Sequence, residues 1–246
     1  MKIAVILAAA GTSSRLGMDI KKEFIKMHSL LFPTQIGGTV LSISAEAFFV
    51  AINKKSDFSF SRLIITANAD FFEDTKKALL ESAFVREQLE KQHTELELVE
   101  GGKTRQESVF NALKALENDP PDIVLIHDAA RPWVAVDLIT EVIESVVTFE
   151  AAVPALPPVD TQKEVSEDGM IVRHLQRRQM AAVQTPQGFM YAKLLEAHKK
   201  ASLDGTNYTD DTEIWGKYCG DVKVTTGSAE NIKITYQKDI EKIVGE

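Results

Sequence analysis

The sequence predicts an α/β fold with a mostly parallel sheet covered by helices, and three observations predict it. Apolar runs alternate with amphipathic stretches along the chain, the pattern of strands buried on both faces and joined by crossover helices. The first apolar run, Ile3-Ala4-Val5-Ile6-Leu7, passes directly into a small-residue turn, Ala8-Ala9-Ala10-Gly11. The 246 residues, 44% of them hydrophobic, suffice to fill the core of one large α/β domain or two small ones.

Taken in order, short apolar runs place strands at 2–7, 62–67, 96–100, 122–126, 151–155, 222–226 and 231–235. Between them, helices are expected at about 39–51, 70–90, 103–117, 136–148, 190–203, 209–218 and 237–244. In the third of these, Val109, Leu113 and Leu116 share one helical face. Asn68-Ala69-Asp70 offers an N-cap for the second. Two stretches interrupt the alternation. Residues 28–38 read as a hairpin or loop before the first full helix, and 154–183 open proline-rich and carry only short β-type pieces around 163–165 and 171–173. The second stretch is expected to project as an arm whose apolar residues seek a subunit contact.

Composition narrows the function. A net charge of −8 and a pI near 5.3 argue against a nucleic-acid binder, although local cations still serve an anionic ligand within an acidic protein. One cysteine, Cys219, excludes an intrachain disulfide framework and fits a reducing compartment. The N-terminal apolar run of about nine residues is too short for a membrane span and reads as a buried strand rather than a leader. A cytoplasmic protein with no membrane partner is the expectation.

The polar clusters point to a phosphate-bearing ligand. The backbone N–H groups of Ala8 to Gly11 can approach a ligand closely, Gly11 is able to take a turn closed to other residues, and Arg15 and Lys22 add charge nearby. This is neither a G-x-G-x-x-G fingerprint nor a P-loop. Gly101-Gly102-Lys103-Thr104-Arg105-Gln106-Glu107-Ser108 follows a strand and opens a helix, with Arg105 and Ser108 one turn apart, suited to a phosphate, sugar or base edge. His127-Asp128-Ala129-Ala130-Arg131-Pro132 follows the strand at 122–126 and should share the crevice beyond the carboxyl ends of the strands. There Asp128 could take a proton or help hold a cation, with Ala129 and Ala130 leaving room for substrate; a plain turn with Arg131 paired to Asp128 is the alternative. Lys233 alternates with Ile232 and Ile234, as on an exposed strand face, and Asp210-Asp211 suits helix capping better than metal binding. The five histidines show no metal-ligand spacing, and no G-x-S-x-G elbow is present.

These clusters, in this order, resemble the 2-C-methyl-D-erythritol 4-phosphate cytidylyltransferases of the non-mevalonate isoprenoid pathway. The resemblance runs from Ile3 to about Ile243 and rests on six pieces. They are Ala9-Ala10-Gly11 with Arg15 and Lys22 four and eleven residues beyond the glycine, Gly101-Gly102-x-x-Arg105-x-x-Ser108, His127 to Pro132, Asp160-Thr161, Gln184-Thr185-Pro186-Gln187, and Asn231 to Thr235.

That family implies a Rossmann-like nucleotidyltransferase core over residues 1–246, read as a single domain with a dimerisation arm at about 154–183. It also implies CTP and methylerythritol phosphate as substrates, Mg²⁺ as cofactor and a homodimer. By the same resemblance Arg15, Lys22 and Lys233 surround the triphosphate, and Ala9, Ala10, Gly11, Gly102, Ser108 and Asp128 bind the nucleotide, Asp128 being also a metal-ligand candidate. Arg131, Thr161 and Thr185 would hold the sugar phosphate, with Arg177 of the arm acting in the partner's site; Arg177 rather than Arg178 keeps the family's spacing to Thr185. The chain departs from the family in having Lys21 where a proline usually precedes the lysine, Ser13-Ser14 where Gly or Arg is common, and a longer stretch over 28–60. Two other readings are a ribitol 5-phosphate cytidylyltransferase, which more often carries a Gly-Gly turn and a bulkier Val at the position of Ala130, and a non-catalytic nucleotide-binding protein. The retention of Arg15, Lys22 and Lys233 speaks against the latter.

Overall fold

A computed structural model describes residues 1–11, 21–28 and 37–244. In chain order the elements are β1 (Lys2–Ala8), a 3-10 turn at Lys22–Phe24, β2 (Lys26–Met27), β3 (Gly38–Thr39), α1 (Val40–Asn53), β4 (Ser59–Ala67), a 3-10 turn at Ala69–Phe71, α2 (Phe72–Leu79), α3 (Ala83–Lys91) and β5 (Glu95–Glu100). They continue with α4 (Arg105–Ala115), β6 (Ile123–Asp128), α5 (Val136–Phe149), β7 (Ala151–Leu156), β8 (Lys163–Val165), β9 (Ile171–His174), β10 (Ala182–Val183) and β11 (Gln187–Met190). The last are α6 (Tyr191–Ala201), α7 (Asp211–Tyr218), β12 (Lys223–Thr226) and α8 (Gln237–Val244).

The sheet has eight strands in the order β10-β7-β11-β6-β1-β4-β5, with β12 on the other side of β7. Parallel pairing joins β6, β1, β4 and β5, and separately β7 and β12, while β11 and β10 run against them. The expected mostly parallel α/β fold is therefore present.

Side chains alternate across β1, so Ile3, Val5 and Leu7 face one layer and Ala4 and Ile6 the other. The first layer is α1, α2, α3 and α5, represented by Phe48, Leu79, Val85 and Ile139. The second is α4, α6 and α7, where Leu113, Leu194 and Trp215 are buried and Val109 and Leu116 join them as their spacing predicts. Thr39 caps α1 by accepting from Ser42 N–H at 3.2 Å.

The structure corrects three expectations about elements. The helix at 70–90 is two helices, because Ser82 caps α3 through Val85 N–H at 3.2 Å while its hydroxyl donates to buried Glu46 at 2.7 Å. The strand at 231–235 is absent. Its amides turn back on Ser228 and Glu230 or reach Ala130 O, so the segment crosses the end of the sheet instead of pairing along an edge. Conversely, β11 carries no β-branched residue and contains Gly188, yet lies between β6 and β7. A Cβ at Gly188 would stand 2.7 Å from Val146 Cγ2 and 2.9 Å from Val142 Cγ1, so its bareness is what lets α5 lie on the strand.

The stretch at 154–183 holds β8 paired only with β9, antiparallel as the short β-type pieces suggest, and its apolar residues are exposed, Val159 by 86%. Of residues 28–38, His28, Gly37 and Gly38 are described, with β2 and β3 forming a small antiparallel pair around them.

Candidate active site

Four loops meet at the carboxyl edge of the sheet. Ala9 N–H donates to Thr66 O at 3.0 Å, Gly101 N–H to Ala67 O at 2.9 Å, and Ala129 N–H to Ala8 O at 3.2 Å, so the turns after β1, β4, β5 and β6 are stitched together. A Cβ at Gly101 would lie 2.3 Å from Ala10 Cβ, which makes glycine there the condition for the two small-residue turns to touch. Gly11 differs from expectation. Its φ is not in the left-handed region, and among the described residues nothing stands within 4 Å of a Cβ placed on it, so neither a special turn nor a close approach there demands glycine. Gly102 N–H donates to Ser108 Oγ at 3.0 Å, and Ser108 Oγ donates to Thr104 O at 2.9 Å, so the Ser108 hydroxyl shapes the glycine loop from a buried position.

Asp128 ends β6 directly beside Ala8 and is buried. Its Oδ2 meets Lys233 Nζ at 3.0 Å and Arg131 Nε at 3.2 Å. Burial alone would push this carboxyl upward, but Lys233, Arg105 and Arg131 outweigh it and hold Asp128 well below the usual carboxylate range. An acid so firmly ionised is a poor proton acceptor and a good anchor for cations. Arg131 also donates from Nη1 to Asn231 O at 2.7 Å, and Asn231 Nδ2 donates to Thr185 O at 2.8 Å.

Behind Asp128 lies a chain of hydrogen bonds in which donor and acceptor follow from the end groups. The carbonyl of Arg131 can only accept, so His127 donates to it from Nε2, 3.1 Å away, leaving Nδ1 to accept from Thr185 Oγ1 at 2.9 Å. Thr185 Oγ1 in turn accepts from Asp128 N–H at 3.1 Å. Burial pushes the His127 imidazole down to about 4, consistent with a neutral ring. Its ring also meets Phe48 edge-on at 5.1 Å between centroids.

The structure thus gathers Lys22, Asp128, Arg131, Thr185 and Lys233 in one place. Lys22 Nζ donates to Ile234 O at 3.3 Å, next to Lys233. Lys21, standing in place of a proline, lies over the Phe71 ring at 4.3 Å. Thr185 is buried with its hydroxyl committed to His127 and Asp128, so it orders the strand end. Ala129 and Ala130 are buried too, against the expectation that they leave room in the crevice, because Ile234 N–H bonds Ala130 O at 2.8 Å and its side chain packs on Ala130. Thr161 and Arg177 are exposed on the arm, and Arg177 donates to Val159 O at 2.8 Å, with no hydrogen bond or ion pair to the Asp128 cluster among the described residues. Arg15 and Ser13-Ser14 lie outside the described residues. Sequence reasoning missed His127, and Gln184, whose Nε2 donates to Ser228 O at 2.8 Å while its Oε1 accepts from Ser228 N–H at 3.1 Å, so that it ties the segment leading to Asn231 to the strand end. Only their place inside the quoted motifs marked them, since their partners are remote in the chain.

A twisted parallel sheet with a small-residue turn, cations on its carboxyl edge and helices on both faces defines the class of α/β nucleotidyltransferase-like proteins. The profile of the 2-C-methyl-D-erythritol 4-phosphate cytidylyltransferase (IspD) family matches residues 3–243, and the chain belongs to that family. The cytidylyltransferase of Clostridium novyi is 34% identical over 241 residues, covering 97% of this chain and 94% of that one. The bifunctional enzyme IspD/IspF of Brucella abortus is 41% identical over 162 residues, 65% of this chain and 41% of that protein, so the match spans under half the length of this longer relative. Among solved structures, the 4-diphosphocytidyl-2C-methyl-D-erythritol synthase of Anaerococcus prevotii superposes with a TM-score of 0.73 at 25% identity, covering 99% of this chain and 96% of that one.

Proposed function

We propose that the protein transfers CMP from CTP to 2-C-methyl-D-erythritol 4-phosphate, giving CDP-methylerythritol and pyrophosphate. The observation that carries this reading, beside the family itself, is the set of cations around Asp128 and Ile234: Lys233 at 3.0 Å and Arg131 at 3.2 Å from Asp128, with Lys22 on Ile234 O. They sit at the same carboxyl edge of the sheet as the small-residue turn of Ala9 and Ala10, whose lack of bulk lets a nucleotide approach the backbone.

The acceptor's 4-phosphate is already anionic, so it attacks the α-phosphorus of CTP without a strong base, and the α–β bridging oxygen leaves with pyrophosphate. What remains for the protein is alignment and charge stabilisation. Lys22 and Lys233, with Arg15, supply positive charge at the phosphates, and Asp128 holds Lys233 and Arg131 in place instead of taking a proton. Ala9, Ala10, Gly11, Gly102 and Ser108 form the nucleotide end, and Arg131 with Thr185 borders the sugar-phosphate end.

Among the described residues no cluster of three His, Cys, Asp or Glu side chains could hold a metal. If the reaction uses Mg²⁺, Asp128 would be the protein ligand, through the carboxylate oxygen that Lys233 and Arg131 do not take, since Mg²⁺ keeps several waters and needs few protein donors. There it would neutralise part of the triphosphate charge.

The projecting hairpin β8–β9 with exposed Val159, Val165, Met170, Ile171 and Val172 supports a homodimer formed through the arm, which would bring Thr161 and Arg177 to the partner's site. No helix among the described residues is long and apolar enough to cross a membrane. Nothing in the site favours ribitol 5-phosphate or a non-catalytic role.

The test is pyrophosphate release by the purified chain with CTP, Mg²⁺ and methylerythritol phosphate, with ribitol 5-phosphate in parallel. Release with the first acceptor and little with the second is expected. No release with either, or a preference for ribitol phosphate, overturns the assignment.

A further inference from the structure

Beneath the glycine loop, on the face opposite His127, lies a second buried charged group that the reaction scheme leaves unused. Asp211, the first residue of α7, is fully buried. Its Oδ2 meets Arg105 Nη1 at 2.7 Å and its Oδ1 meets His198 Nε2 at 3.1 Å. Its own N–H donates to Gln187 Oε1 at 3.2 Å, and Gln187 Nε2 donates to Asp210 at 3.0 Å.

Burial would raise the Asp211 carboxyl, but Arg105 and then His198 hold it below its ordinary value, so it is an anion inside the protein. An ionised carboxylate can only accept, which puts the His198 proton on Nε2. The His198 Nδ1 has no hydrogen-bond partner among the described residues. His198 is itself buried and lies against the Phe110 ring.

A buried imidazole nitrogen without a partner and a buried carboxylate both cost stability, and an apolar pair would fill the space between α6 and α7 more cheaply. What the arrangement does achieve is to fix one side chain. Arg105 is the first residue of α4, directly after the loop of Gly101 and Gly102, and its side chain keeps 28% of its surface exposed. Its charge reaches Asp128 from this side, while Lys233 and Arg131 hold Asp128 by direct contact. A guanidinium has five N–H donors in a rigid fork, and Asp211 engages only one end of it.

We propose that Arg105 contacts the phosphates of the bound nucleotide, and that buried Asp211 and His198 are positioning residues that aim it. The proposal rests on the nucleotide-binding function argued above. The pair holds Nη1 from below, and the rest of the fork belongs to a partly exposed side chain that follows the glycine loop directly. The side chain is thereby ordered before the ligand arrives, so binding does not have to freeze it.

The test is equilibrium binding of CTP, by calorimetry, to the full chain and to Arg105→Gln, Asp211→Asn and the double variant, with circular dichroism and thermal melting alongside. Arg105→Gln is expected to weaken CTP binding about tenfold or more, the scale of a lost hydrogen bond to a charged group. Asp211→Asn should weaken it less, and the double variant no further than Arg105→Gln alone, because Asp211 acts through Arg105. In turnover the Arg105→Gln loss should fall mainly on the CTP KM, and Arg105→Lys should recover part of it.

Additive losses in the double variant overturn the positioning role. CTP affinity within twofold of wild type in Arg105→Gln overturns the contact; should that variant or Asp211→Asn fail to fold, Arg105→Lys, which keeps a counter-charge for Asp211 but loses the fork, carries the same test, and unchanged CTP affinity in it overturns the contact. If the wild-type chain itself does not bind CTP, the nucleotide reading fails, and the two failures are told apart.

Discussion

Lys22 and Lys233 approach the same stretch of backbone from opposite ends of the chain, yet their surroundings give them different work. Lys233 is tied to Asp128 at 3.0 Å, so removing it leaves a buried carboxylate short of a counter-charge. Lys22 Nζ donates to the backbone carbonyl of Ile234, the residue after Lys233, at 3.3 Å. An ammonium at the edge of this cluster interacts most strongly when charge builds up on the departing pyrophosphate. Lys22→Ala should therefore lower kcat by ~10²–10³, the usual cost of losing one preorganised electrostatic contact, with a smaller change in the KM for CTP. Steady-state kinetics at saturating acceptor measure this. Near-normal turnover would make Lys22 a surface charge and move the transition-state stabilisation elsewhere.

At the scale of elements, the arm is the part of the chain that the core does not explain. Its hairpin, β8 with β9, shares no hydrogen-bonded edge with the main sheet, and Val165, Ile171 and Val172 on it are exposed. Apolar residues on a projecting ribbon need another surface, and a second copy of the chain is the partner proposed here. If Arg177 on the arm serves the partner's site, an inactive Arg177→Ala chain mixed with an inactive Lys22→Ala chain should regain activity. One site in each mixed dimer then holds both intact residues. The check is pyrophosphate release after verified subunit exchange. Exchange without recovery would place Arg177 in its own chain's site. The same scale explains the broken helix at 72–91: a periodic pattern cannot show that Ser82 is buried and bonded to Glu46, which ends one helix and caps the next.

For the molecule as a whole, the buried ionisable groups set the response to acid. His127 falls to about 4 in the fold, because burial disfavours its charged form, against an unfolded value of about 6.5. The depressed value means that the unfolded chain takes up the proton first. The stability this residue contributes is thus complete above about pH 6.5 and lost as pH falls towards 4, on the order of 3 kcal/mol in all. Asp128 and Asp211, also lowered, extend the loss to more acidic pH. Glu23, raised by burial, has the opposite sign and favours the fold when protonated. Melting temperatures should fall steeply between pH 6.5 and 4. In His127→Asn, less stable at pH 7, the decline over that window should be shallower. An unchanged slope would show that His127 is not the titrating group.

The local order of residues determined much of this protein. Runs such as Ile123 to Ile126 become buried strands wherever they fall, because alternating side chains on a strand need apolar cover on both faces, and the turns that follow them must lie at the carboxyl edge. That is why the small-residue turn, the glycine loop and the His127 to Arg131 cluster were legible as one crevice. The resemblance added the roles of Lys22 and Lys233. Only the tertiary structure decided the partners within it. His127 meets Thr185 58 residues away, Arg131 meets Asn231 100 away, and Lys22 meets Ile234 212 away. It also decided that Gly188 lies in a central strand, that Asn231 to Thr235 crosses the sheet without pairing, and that Ala130 is buried under Ile234. Local propensity extends over a few residues of chain, whereas these contacts depend on how the open sheet and its two helical layers bring distant segments together. The pairing of Arg105 with Asp211, 106 residues apart, was invisible for the same reason.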